Sequence, residues 1–334
     1  MNFDVVIGNP PYQESDGGSN ASARPVYNLF VEFAINQLKS QKVCLITPSK
    51  WFAGGKGLDD FRQFMINNRH LKVLSDYVNS KELFSGVSIG GGVSYFLYDR
   101  EYEGDCKVIN HYDGVVDTSQ RPLNEFPVFV RYNRAVSLLH KVLDKSSKSV
   151  SGFVSPRNPF GLSSNQRGKD KKFDDSVLLL TSAGEFYIEK SKVNVGVNML
   201  DEYKVVISKV TSEHAGEPDK GGFFKIISSN RIMPPNSVCT DSYLVLFSTK
   251  SKVQASNYFK YMKTKFYRAL LMLSVTSINL SAKKFQFIPQ QNFKNDVQID
   301  WSASIPEIDR QLYKKYGLSA SEIEFVEKKI KTLD

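Results

Sequence analysis

The chain has 334 residues, 41% hydrophobic and 12% aromatic, with 44 Lys+Arg against 35 Asp+Glu and a formal charge of +9. That length suits about two domains with sizeable cores, and the composition excludes a disordered or collagen-like chain. No uninterrupted apolar stretch reaches the roughly 18–20 residues of a membrane-spanning helix, and the first residues do not read as a signal peptide.

The charge is divided unevenly. Residues 1–124 hold 12 Lys/Arg and 14 Asp/Glu, a net of −2, so the remaining residues carry a net of +11. Such a split fits one domain that does chemistry and another that holds a polyanion; an ordinary basic surface gives the same count. Cys44, Cys106 and Cys239 stand far apart without a CxxC pair, which predicts reduced thiols in a cytoplasmic protein. His70, His111, His140 and His214 show no metal-ligand spacing, so no metal site is expected.

Phe3–Ile7 reads as a short buried strand bounded by Gly8. After a polar loop, Glu14 to Ala23, the residues Val26, Leu29, Phe30, Phe33, Ala34 and Leu38 fall on one face of a helix. Val43–Thr47 is a second strand stopped by Pro48, and a loop with Gly54, Gly55 and Gly57 leads to a helix over Leu58–Asn67. Leu71–Tyr77 and, after Gly90–Gly92, Val93–Tyr98 are further strands. This alternation predicts a parallel α/β sheet with right-handed crossovers.

From about Glu125 the texture changes. A helix over Tyr132–Leu143 precedes short β-like runs at Val177–Thr181, Phe186–Ile188, Tyr203–Ile207, Phe223–Ile227 and Tyr243–Phe247. Ala255–Leu273 reads as one long helix rich in Tyr, Phe and Lys. In the tail, Ser304 with Glu307 and Ser319 with Glu322 read as capping boxes, with Gly317 closing the first helix.

Asn9-Pro10-Pro11-Tyr12 follows the first strand directly. It resembles the (Asp/Asn/Ser)-Pro-Pro-(Tyr/Phe/Trp) motif that amino-methyltransferases carry at the end of the fourth strand of their sheet. The chemistry asks for these residue types. The exocyclic amine of a base is a poor nucleophile because its lone pair is delocalised into the ring. A side-chain amide oxygen from Asn9 and the carbonyl of Pro10 can accept its two hydrogens and aim the lone pair at a methyl sulfonium. Two prolines fix the turn, and Tyr12 offers a face on which a flipped base can stack. A tetrapeptide of this kind also occurs in turns without function, but here Phe3 to Tyr12 as a whole, Thr47-Pro48-Ser49 and the run Ser88–Leu97 extend the likeness. By its offset from the glycines, Phe96 is the candidate second aromatic against the base; a residue buried in a central strand is the competing reading.

From Phe3 to about Cys106 the sequence resembles the Eco57I-type adenine-specific methylases of type II restriction–modification systems. Three carboxyl-terminal tracts continue the likeness: Ser155–Gly161, Tyr261–Arg268 and Leu312–Ser319. The resemblance implies an S-adenosyl-methionine-dependent transfer to N6 of adenine in double-stranded DNA, with Asn9 and Pro10 next to the cofactor. It also implies an α/β fold: the carboxyl-terminal half of a Rossmann-like methyltransferase sheet, followed by an α+β target-recognition domain and a short helical tail. The expected boundaries are 1–122 for a partial catalytic domain, 123–300 for target recognition and 301–334 for the tail.

In the family's strand order, 3-2-1-4-5-7-6, the first strand here would be the fourth. Its neighbour, the strand with the glycine-rich cofactor turn, has no room before Asn9, and neither Gly90–Gly92 nor Gly54–Gly57 replaces it. A fragment of a longer enzyme is therefore expected, or one subunit of a split enzyme whose partner brings the cofactor half, inactive without it. Residues 3–7 would then be an exposed apolar edge.

In the basic region, Arg167, Lys169, Lys171 and Lys172 in a Gly/Ser/Asn-rich loop suit phosphate contacts, and a solvated flexible loop would look the same. Arg157 suits the edge of a guanine. Lys260, Lys263, Lys265 and Arg268 share a helix with Tyr258, Phe259, Tyr261, Phe266 and Tyr267, giving a basic face toward DNA and an aromatic stripe that is in part core. Glu202-Tyr203-Lys204 has the E-x-K spacing of a nuclease, but no upstream acidic strand accompanies it. Two other readings stay open: a DNA-binding specificity subunit without catalysis, and a methyltransferase acting on a protein glutamine or on RNA.

Overall fold

The computed structural model describes residues 3–14, 24–52, 57–87, 89–112, 114–212, 218–219, 221–275 and 278–333. They belong to two compact units, one reaching Val136 and the other starting at Ser137. The division between these units falls at residue 136, and residues 301–334 lie inside the second unit.

The first unit is built on six strands: β1 (Val5–Gly8), β2 (Lys42–Pro48), β3 (Leu71–Tyr77), β4 (Val93–Asp99), β5 (Cys106–Tyr112) and β6 (Val115–Arg121), in the order β1-β2-β4-β3-β5-β6. Helix α1 (Tyr27–Glu32), which continues as a π turn through Gln37, joins β1 to β2, and α2 (Asp59–Ile66) joins β2 to β3. β1 runs parallel to β2 and β3 to β5, but β4 is antiparallel to both β2 and β3, and β6 is antiparallel to β5. The sheet is therefore mixed, not parallel. Between β3 and β4 lies only one short 3₁₀ turn, Ser80–Glu82, among the described residues. A parallel return normally needs a crossover helix, and without one the chain comes back antiparallel. The order β1-β2-β4-β3 is nonetheless the order 4-5-7-6 that the resemblance implies.

Strand parity decides what each face meets. Val43 and Leu45, Leu71 and Leu74, Phe96 and Tyr98, and Val108 join Tyr27, Val31, Trp51, Phe61 and Met65 in one buried cluster under α1 and α2. The opposite parity carries Ile7, Cys44 and Leu97 in register across β1, β2 and β4, with Ile46 beside Tyr95. These side chains are only half-buried in β2 and β4, while Val5 and Ile7 are 56% and 78% exposed. The expected apolar edge is present.

Helix α3 (Asn133–Lys145) carries the chain into the second unit. There β7 (Ser176–Thr181), β8 (Gly184–Glu189), β9 (Tyr203–Ser208), β10 (Asn230–Met233), β11 (Ser237–Cys239) and β12 (Tyr243–Thr249) form two three-stranded sheets, β10-β9-β12 and β11-β7-β8. Phe223–Ile227 is not a strand. Ile226 has φ +68°, which breaks an extended run, and only isolated bridges join Phe224 to Ile330 and Ile227 to Thr211.

The long aromatic helix is two helices, α4 (Lys252–Lys263) and α5 (Lys265–Ser274). Thr264 separates them with an extended backbone; its hydroxyl donates to the Tyr261 carbonyl at 2.6 Å and accepts from Tyr267 N–H at 3.1 Å. One residue thereby ends the first helix and caps the second. Tyr258, Tyr261 and Tyr267 are all buried.

Helices α6 (Ile305–Tyr316) and α7 (Ala320–Lys329) pack on α5: Phe266 stacks on Tyr316, and Asp309 accepts the N–H groups of Lys265 and Phe266 at 2.9 Å. Ser319 and Glu322 form the expected capping box, and Gly317, at φ +67°, closes α6. Ser304 makes no side-chain cap bond; Glu307 pairs with Arg310 instead.

Lys204 is fully buried, and its ammonium donates to the carbonyls of Met199, Leu200 and Glu202 at 3.0, 3.2 and 2.7 Å. Burial pushes its pKa down to about 8. The lysine of the E-x-K triplet thus organises a turn and faces no metal-binding acid; among the described residues no group of three or more His, Cys, Asp or Glu side chains could hold a metal ion. Lys204→Met removes the donor and leaves three inward carbonyls unmet, so the second unit should lose about 2 kcal/mol in denaturant unfolding. A midpoint equal to wild type would show that water replaces the ammonium.

Candidate active site

Because β1 and β2 are parallel and Gly8 pairs with Leu45, Asn9 emerges at the carboxyl end of the sheet, level with the end of β2. The motif is held on both sides. Upstream is the β1 ladder, with Lys42 N–H donating to the Asp4 carbonyl at 2.9 Å. Downstream, Val26 N–H donates to the Tyr12 carbonyl at 3.2 Å, Glu14 N–H donates to Arg24 at 3.0 Å, and Gln13 bridges Pro25. Between these ties Asn9 and Pro11 are exposed and Pro10 is half-buried. Tyr12 is half-buried and leans on the core beneath α1. Burial raises the pKa of its hydroxyl and the Asn9 side chain partly offsets this, so Tyr12 is a neutral phenol at physiological pH. Asn9 thus presents an amide that can accept from an amine, and Pro10 a carbonyl with no N–H of its own.

Beside the motif, the ends of β2 and β3 and the start of β4 are tied together by charge. The Ser49 hydroxyl donates to Asp76 at 2.8 Å, and Arg131 donates two hydrogen bonds to the same carboxylate at 2.5 and 2.8 Å. Asp76 is 1% exposed. Arg131 is held in turn, its carbonyl accepting from Asn110 at 2.9 Å, while buried Arg121 grips the Val130 carbonyl and Asn133. Ser49 N–H donates to the Gly92 carbonyl at 3.0 Å. Gly92 has φ +81°, and a Cβ there would lie 2.3 Å from the Tyr77 carbonyl and 2.7 Å from the Arg131 guanidinium. Only glycine fits this approach.

The sequence reading named Thr47-Pro48-Ser49 but missed Asp76 and Arg131. The available signal was Asp76 itself, an acid near the end of the strand Leu71–Tyr77. Asp76→Ala strips Ser49 of its acceptor and removes the carboxylate that receives both hydrogen bonds of Arg131. The first unit should lose about 3–5 kcal/mol, read from Trp51 fluorescence in a Trp301→Phe background, and a loss under 1 kcal/mol would show that the pair is not holding these ends.

Phe96 does not join the site. It is fully buried at the middle of β4, between Leu45 and Leu74, on the face covered by the helices. A base cannot reach it. Gly91 and Gly92 lead into β4 and are closed over by Lys50, Tyr77 and Arg131, so they make no cradle for a nucleoside. Gly54, Gly55, Ser88 and His214 lie outside the described residues.

The basic face expected on the aromatic helix is largely used up internally. Arg268 is 1% exposed and donates to the carbonyls of Lys331 and Lys225. Lys265 pairs with Glu327 at 2.6 Å, and Lys260 donates to the carbonyls of Trp301, Ser302 and Ala303. Lys263 is half-buried with its ammonium 5.1 Å from the centre of the Phe259 ring. Arg268 and Lys265 are structural cations, not phosphate contacts. In contrast Arg157, Arg167, Lys169, Lys171 and Lys172 are exposed.

Comparison with known proteins gives an independent view of the first unit. A family model described as Eco57I restriction-modification methylase matches residues 1–84. An uncharacterized adenine-specific methylase of Mycoplasma pneumoniae is 36% identical over 107 residues, 31% of this chain and 25% of that protein. Among solved structures, the type IIG restriction endonuclease BpuSI is similar over 97% of this chain and 52% of its own, at 12% identity and a TM-score of 0.41. The type IIL restriction-modification enzyme MmeI, solved with DNA, is similar over 97% and 56%, at 7% identity and a TM-score of 0.49. The chain therefore spans a quarter of the curated relative and about half of these two structures. From β1 through α1, β2, α2 and β3, the segment that presents Asn9–Tyr12, its sequence is similar to the Eco57I restriction-modification methylases.

Proposed function

We propose that the chain orients the N6 amine of an adenine for methylation in double-stranded DNA, as part of a restriction–modification methyltransferase. One observation carries this reading: Asn9, exposed, and Pro10, half-buried, stand at the carboxyl end of the sheet on a segment tied down at both ends. The Asn9 amide oxygen and the Pro10 carbonyl accept the two amine hydrogens, which draws the nitrogen lone pair out of conjugation and fixes its direction. Tyr12, neutral and anchored on the core, stacks on the base once it has left the duplex. The exposed Lys169, Lys171 and Lys172 hold phosphates without reading sequence.

Methylases of this family take the methyl group from S-adenosyl-methionine. The described residues of this chain do not form a cradle for its nucleoside: the closed approach at Gly92 leaves none, and β1 has no glycine-rich parallel strand beside it. The proposal therefore places the cofactor on a further polypeptide, a preceding segment or a separate subunit. The open edge of β1, the half-bare face around Ile7, Cys44, Ile46 and Leu97, and the exposed Leu29, Phe30 and Phe33 of the α1 region supply the surface for it.

In the assembled enzyme, Asn9→Ala should lower adenine-N6 methylation at least 10³-fold while DNA affinity stays within about twofold, because only a hydrogen bond to the reacting amine is lost. Nucleoside analysis of the DNA after reaction checks this. Retained N6-methyladenine sinks the assignment of Asn9, and DNA binding without any transfer by the assembled wild type would favour a specificity subunit. Ile7→Lys, at a side chain that is 78% exposed, should change the stability of the chain by less than about 0.5 kcal/mol and yet abolish assembly with the cofactor half in co-purification. Normal assembly would place the interface elsewhere.

A further inference from the structure

We propose that the second unit separates two tasks, and that Arg157 is the residue that reads a guanine in the recognised sequence while the neighbouring lysine loop only grips phosphates. This deepens the DNA-directed reading above and rests on it. Five arginines lie in the second unit, and four are occupied. Arg167 turns back on the carbonyls of Ser164 and Gln166, Arg231 pairs with Glu185, Arg268 is buried on carbonyls, and Arg310 pairs with Glu307. Arg157 alone has no hydrogen bond or ion pair among the described residues, and it is exposed.

The loop that carries Arg157 is nevertheless fixed. Ser155 N–H donates to the Val245 carbonyl at 2.8 Å, and Val245 N–H donates to the Ser155 hydroxyl at 3.0 Å, a two-point clamp onto β12. Five residues on, Phe160 is fully buried in the core between the two small sheets. Pro156 and Pro159 fix φ on either side of Arg157-Asn158. A Cβ at Gly196 would lie 2.3 Å from the Pro159 carbonyl, so the adjacent turn also presses on the loop. A guanidinium held on such a loop loses little backbone freedom on binding, and its planar fork matches O6 and N7 of guanine. On the turn that presses on this loop, Val195 and Val197 are 48% and 53% exposed, apolar surface of the kind that meets a thymine methyl.

The lysine loop has different chemistry. Lys169 and Tyr187 exchange backbone hydrogen bonds at 2.9 and 2.8 Å, and Lys190 N–H donates to the Asp175 carbonyl at 2.9 Å, so the loop is pinned along β8 and is not a free tether. Its Lys171 and Lys172 present point charges without a fork, which suits phosphate oxygens rather than base edges.

The test uses the full chain and a random-sequence duplex pool. Bound DNA is sequenced, and the affinity of the selected duplex is then followed against KCl. Wild type should enrich a motif containing a guanine. Arg157→Ala should lose discrimination at one guanine–cytosine pair by about tenfold or more with an unchanged salt slope, and Arg157→Lys should not restore it. Lys171→Ala with Lys172→Ala should keep the motif, weaken all duplexes alike and reduce the salt slope by about 0.9 for each lysine removed. An unchanged motif for Arg157→Ala overturns the role of Arg157 and leaves the DNA-directed reading standing. Failure of the wild type to enrich any duplex overturns that reading and this inference with it.

Discussion

The pairing of β1 with β2 is the interaction on which the rest depends. Four residues, Val5–Gly8, lie parallel to Lys42–Leu45, and that single ladder brings Asn9 to the carboxyl end of the sheet. In a parallel sheet the ends of neighbouring strands share one edge, so loops after β1, β2 and β3 collect there together. A shift of one residue would exchange the faces of the strand and send Val6, which packs on the core, out to solvent. Register and the placement of Asn9 are thus set by the same contact. A four-residue edge strand with one open side is also the weakest part of such a sheet, which accounts for the second tie, from Tyr12 and Glu14 to Arg24–Val26.

What stands beside the motif is rigid for a different reason. Asp76 and Arg131 are a largely buried ion pair, with the Ser49 hydroxyl donating to the carboxylate and the Asn110 side chain to the Arg131 carbonyl. Such pairs gain little net stability but are costly to break, and they specify one arrangement of the strands they join. Here they fix where β2 and β3 end and how closely Gly92 approaches. A firm edge with the Asn9 amide exposed on it suits the positioning of an amine, where small misplacements cost much of the rate.

Local signals are legible in the sequence and non-local ones are not. The run from Phe3 to Tyr12 declares a strand and a rigid turn, and β3 and β7 were legible from short apolar runs. Phe96 was misplaced because Val93–Tyr98 is apolar on both parities; only the register with Leu45 and Leu74 shows which face it takes. The hairpin of β5 and β6 was missed since the alternation of Val115, Asp117 and Ser119 with Val116, Thr118 and Gln120 marks no buried face. Arg268 looked like a surface cation because its partners, the carbonyls of Lys225 and Lys331, are far away in the chain. Thr264 could have been read as a cap inside the aromatic stretch, but the helical pattern continues across it on either side.

The central claim is the proposal that a further polypeptide completes the edge at β1 and brings the methyl donor to Asn9 and Pro10. Amide hydrogen exchange over Val5–Gly8 tests it directly, measured with the chain alone and then with the cofactor-binding polypeptide, alongside methyl transfer to duplex DNA. The outward-facing amides of β1 should exchange quickly in the chain alone, slow by at least tenfold on assembly, and slow at the same stoichiometry at which N6-methyladenine first appears. Methyl transfer by the chain alone, or by an assembly in which these amides stay unprotected, would contradict it.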